Sequence, residues 1–169
     1  MRIRSGFVSN SSSTSYVVIN REGSIEKVPE YAFSQETGEL LIPCEQGSHN
    51  FSGEEIWYNT TLDRINFAFC QLLYLCGETF PPEKDSDDYE EYEMFLEALG
   101  MEGYSPKFIM TEKEAKYEQQ SIYGMSFDFY IDHSSSAVEG QNLEIFNNAR
   151  DLHDFLFNFG SGIQGQENR

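Results

Sequence analysis

The sequence predicts an α+β fold, with a small antiparallel or mixed sheet covered by about three helices (53–76, 88–99 and 148–159). Three observations predict it. β-Branched and aromatic runs bounded by turn residues fill the first third of the chain. Two segments in the middle carry apolar residues at helical spacing. A strand-like alternation followed by a third helical segment closes it. The 169 residues fit one domain, and 39% hydrophobic with 15% aromatic content is enough for a buried core, which excludes wholesale disorder.

Residues 1–15 read as an arm: Arg2, Arg4 and Phe7 lead into the run Ser9-Asn10-Ser11-Ser12-Ser13-Thr14-Ser15. Hydroxyl and amide side chains compete with regular backbone pairing, so this run favours a loop. The main domain then occupies residues 16–160. Tyr16–Ile19 turns through Arg21-Glu22-Gly23 into Ser24–Val28, which predicts a hairpin, and a second turn at Thr37-Gly38 joins Ala32–Gln35 to Glu39–Ile42. Ser52-x-x-Glu55 has the capping-box pattern, and Ile65, Phe69, Leu72, Leu73 and Cys76 draw one apolar stripe, so 53–76 is the longest helix, with Trp57 near its start read as a core anchor ahead of the alternative, a surface hot spot.

A second helix starts at the Ser86-Asp87-Asp88 cap and ends at Gly100, with Tyr89, Tyr92, Leu96 and Leu99 facing inward. Ile122 to Asp132 alternates at Phe127, Phe129 and Ile131, which predicts a strand, and Leu143–Phe146 adds a short one. Asn147 or Asn148 caps a last helix whose inner face is Ala149, Leu152, Phe155, Leu156 and Phe159, stopped by Gly160. Residues 161–169 read as a polar tail.

The chain carries 29 acids against 11 bases, a net charge of -18. Such a chain is repelled by nucleic acid and by anionic membrane, so neither is expected as a direct partner. No apolar run approaches the ~20 residues that span a bilayer. Met1-Arg2-Ile3-Arg4 does not open a secretory signal, and a cytoplasmic location with free thiols at Cys44, Cys70 and Cys76 is expected. Half of the net charge falls between Glu78 and Glu102, where ten acids meet the single base Lys84. Asp85, Asp87, Asp88, Glu90, Glu91, Glu93 and Glu97 form the candidate binding face. Along a helix Glu90, Glu93 and Glu97 lie about 4.5 and 6 Å apart in rise, a spacing comparable with neighbouring phosphates on a nucleic-acid strand. The same row also reads as an ordinary solvated helix face.

Candidate chemistry is sparse. Cys70 and Cys76 are too far apart along a helix to share a metal, and His49, His133 and His153 have no ligand spacing. Asp128, Asp132 and His133 at a strand end could serve a small enzyme, by acid–base or metal-assisted chemistry, and they also read as a solvated strand edge running into the loop Ser134-Ser135-Ser136. No phosphate-binding, dinucleotide-binding or hydrolase motif occurs. The expectation is therefore a non-enzymatic protein without cofactor or bound metal.

The segment Arg4-Ser5-Gly6-Phe7-Val8-Ser9-Asn10-Ser11-Ser12-Ser13-Thr14-Ser15-Tyr16 resembles the start of a group of small proteins of bacteriophages and other bacterial mobile elements. Their shared pattern is Arg-x-Gly-Phe-Val-Ser-Asn, a serine run and an aromatic residue. The resemblance covers about the first 18 residues and carries no catalytic residue over. It implies a gene acting inside a bacterial host cell, where small acidic proteins often block restriction, CRISPR or transcription. The expected partner is thus a host nucleic-acid-binding protein with a basic groove. A further alternative is a virion or assembly component docking through Arg2, Arg4, Phe7 and Asn10 of the arm.

Overall fold

A computed structural model describes residues 2–8, 13–43, 57–76, 79–109 and 143–167. It is an α+β structure. Strands β1 (Arg2–Val8), β2 (Ser13–Asn20), β4 (Trp57–Tyr58) and β6 (Gly162–Glu167) form one antiparallel sheet in the order β1-β2-β6-β4. Strands β3 (Leu40–Pro43) and β5 (Pro106–Ile109) form a second, two-stranded parallel sheet. Among the described residues, helices α1 (Thr61–Cys76), α2 (Tyr89–Gly100) and α3 (Ala149–Phe157) supply the remaining regular structure, with short 3-10 turns at Glu30–Ala32 and Leu143–Phe146.

The ends of the chain correct the sequence reading most. Residues 1–15, expected as an arm, contain β1 and the start of β2, paired from Arg2↔Asn20 to Val8↔Thr14. The tail expected at 161–169 contains β6, which lies between β2 and β4. Gly-Ile-Gln-Gly-Gln-Glu has little strand propensity of its own. With a partner on each side, however, its backbone groups are used in ladders, and such context outweighs propensity. The same pairing removes the first expected hairpin: β2 has β1 and β6 as neighbours and no free edge for Ser24–Val28. That segment instead runs beside the end of α3. Ile25 bridges Asn158, Glu26 N–H donates to Phe157 O at 2.7 Å, and Phe159 N–H donates to Ser24 O at 2.7 Å. Gly23 permits this approach, because a Cβ there would sit 2.2 Å from Phe159 O.

The second expected turn forms, with Gly38 at φ +74 and Ser34 N–H donating to Glu39 O at 2.8 Å. Its strands shrink to the single bridge Phe33↔Leu40, and Leu40–Pro43 pairs with β5, a strand the sequence reading missed. All four residues of β3 are buried, as suits a parallel strand covered on both faces.

Helix α1 begins later than expected. Trp57 and Tyr58 pair with β6, and the cap is a reciprocal box in which Asp63 N–H donates to Thr60 Oγ1 at 3.1 Å and Thr60 N–H to Asp63 Oδ2 at 3.3 Å. Ser52 and Glu55 lie outside the described residues, as does the strand expected over 122–132. Of the expected stripe Ile65, Phe69 and Leu72 are buried, while Leu73 and Cys76 are half-buried, and Phe67, Ala68 and Cys70 on other sides are buried too. The helix is therefore enclosed around much of its circumference. Phe69 sits among the rings of Phe80, Phe95 and Phe108, with centroids 5.2, 6.2 and 5.3 Å away.

In α2 the buried residues are Phe95, Ala98 and Leu99, whereas Tyr89, Tyr92 and Leu96 are half-buried. The helix is turned about one residue from the expected inner face, and Phe95 fills the aromatic cluster. It ends after Gly100, and Gly103 takes φ +76 while Tyr104 N–H returns to Leu99 O at 3.1 Å. Leu143–Phe146 is a 3-10 turn, not a strand. Asn148 caps α3 by accepting from Asp151 N–H at 2.8 Å. Leu152, Phe155 and Leu156 point inward as expected. Phe159 lies past the helix end and is 61% exposed, and Phe157 is buried in its stead.

Candidate functional site

Among the described residues, the exposed side of α2 presents a charged face to solvent. Glu90, Glu93 and Glu97 are exposed, as are Asp85 and Asp87 just before the helix. Among the described residues none of these five forms an ion pair. Asp88 and Glu91 depart from the expected open face. Both are half-buried, and Glu91 Oε2 is shielded from solvent without a hydrogen-bond partner among the described residues. Acids in the first turn, Glu90 and Glu91, are favoured by the helix dipole, which lowers the cost of crowding them there. No such relief reaches Glu97, near the opposite end.

This face is held from behind. Phe95, Ala98 and Leu99 anchor the helix in the core, and just past its C-terminus Glu102 Oε1 lies 2.6 Å from His153 Nε2 on α3. His153 is nearly enclosed, and its other nitrogen lies 3.3 Å from Asp154 Oδ1, which also meets Arg150 Nε at 3.5 Å. A neutral imidazole has one N–H, so both carboxylates receive a hydrogen bond only when the ring carries two protons.

Asp151, on the same helix, accepts from Arg21 Nη1 and, at 3.2 Å, from Asn147 Nδ2. The Arg21 hydrogen bond holds the Asp151 carboxyl below the usual carboxylate range, and the same contact raises Arg21. These pairs use Arg21, Arg150 and Asp151 structurally. The sequence reading missed them, although Asp151, His153 and Asp154 set among Leu152, Phe155 and Leu156 on one short helix were a usable sign.

A cleft of about 320 Å³ between the end of α1 and the start of α2 is lined by Cys76, Thr79, Pro82, Glu83, Ser86 and Asp88. Desolvation, with Asp88 and Glu91 nearby, pushes the Cys76 thiol up to about 11, and burial pushes Cys70 to about 12. Neither is activated as a thiolate nucleophile or metal ligand at neutral pH. Among the described residues no group of three or more His, Cys, Asp or Glu side chains is placed to hold a metal. Nor is any helix there long and apolar enough to cross a membrane.

Arg2, Arg4 and Phe7, expected in a docking arm, belong to β1, an edge strand of the larger sheet. Asn10 and the alternative triad Asp128, Asp132 and His133 lie outside the described residues. No family model, curated protein or solved structure matches the chain.

Proposed function

We propose that this chain is a non-enzymatic acidic binding protein of phage or mobile-element origin. It occludes a basic site on a nucleic-acid-binding protein in the cytoplasm of a bacterial host. The observation that carries the reading is the row Glu90, Glu93 and Glu97: exposed, without ion pairs among the described residues, and borne on a helix whose other side is locked into the core. Unpaired like charges at this spacing oppose folding by mutual repulsion, and a basic groove relieves that cost on binding. The axial spacing of about 4.5 and 6 Å suits a row of cationic side chains that otherwise grips phosphates.

Affinity capture from a bacterial lysate, followed by binding measurements on the captured partner, tests the reading. Binding should weaken steeply as salt rises, and nucleic acid should compete. A variant carrying Glu90→Lys, Glu93→Lys and Glu97→Lys should lose about tenfold or more in affinity, whereas Lys at Glu30, Glu36 and Glu39 should cost far less. Circular dichroism first establishes that the triple variant folds. If the folded variant binds as tightly as wild type, or nucleic acid fails to compete, the acidic row is a solvated face only.

A further inference from the structure

We draw no further inference here: the strongest candidate, the cleft between the end of α1 and the start of α2, joins a lone cysteine to acidic residues at a helix N-terminus, and the unpartnered Ser86 hydroxyl beside it is shielded from the space a ligand would fill.

Discussion

Arg64 Nε donates to the carbonyl of Leu156 at 2.9 Å, which places a cation against the C-terminal end of α3. The same side chain reaches Ser161 O at 2.8 Å, Asn59 O at 2.9 Å and Asn158 O at 3.3 Å through Nη1, and Glu26 Oε1 at 2.8 Å through Nη2. It is fully buried. Helix C-termini leave carbonyls without partners and carry partial negative charge, so a guanidinium there answers both needs. Burial pulls the Arg64 guanidinium below its ordinary value, and the Glu26 hydrogen bond opposes that pull. The first turn of α1, the end of α3 and the segment leading into β6 thus share one side chain.

Arg64→Ala should therefore destabilise the protein by about 3–5 kcal/mol, because it strands buried carbonyls together with the Glu26 carboxylate. Arg64→Lys should recover only part of this, since an ammonium cannot reproduce the planar fork. Urea denaturation of both variants checks the expectation. A loss below about 1 kcal/mol for the Ala variant would show that the carbonyls find other donors.

Stability toward acid should depend on Asp151. Its carboxyl is held below the usual range in the folded state by Arg21, so its contribution is present above the unfolded value of about 3.9. It is lost as pH falls through the lower folded value. Asp151→Asn should cost roughly 1–2 kcal/mol at pH 7 and flatten the acid limb of the stability profile below about pH 5. Arg21→Met should flatten the same limb. Denaturant midpoints measured from pH 7 to pH 2 decide it, and limbs parallel to wild type would refute the assignment.

Two phenylalanines should behave oppositely. Phe69 is fully buried among three aromatic rings, so Phe69→Ala should cost about 3–5 kcal/mol. Phe159 is 61% exposed, and Phe159→Ala should cost less than about 1 kcal/mol. Chemical melts of the pair test the end of α3 directly, because a helix continuing through Phe159 with that ring inward would make the two losses similar.

Removing residues 162–169 should abolish cooperative folding. The deletion takes away β6, leaving β4 without its partner and β2 with one neighbour. It also empties the site of Ile163, which is buried. Near-UV circular dichroism and a thermal melt report the outcome. A cooperative transition within a few degrees of wild type would mean that the segment is dispensable to the sheet.

Local periodicity was enough to read several features from the chain itself. The spacing of Ile65, Phe69 and Leu72 marks the buried stripe of α1, the pair Asn147-Asn148 marks the start of α3, and Glu90, Glu93 and Glu97 fall on the exposed side of α2. Each depends on residues within a few turns of one another, where the 3.6-residue repeat and capping chemistry operate. Tertiary structure alone decided the rest. The Gly- and Gln-containing segment Gly162–Glu167 becomes a strand because β2 and β4 offer it two edges, not because its side chains favour extension. Arg64 is buried because its acceptors, Leu156 O and Ser161 O, arrive from 92 and 97 positions away. The backbone N–H of Asn20 ends β2 by donating to Ser161 Oγ, 141 positions distant. A polar or flexible residue is cheap to bury only where such partners converge, and that convergence is a property of the assembled chain.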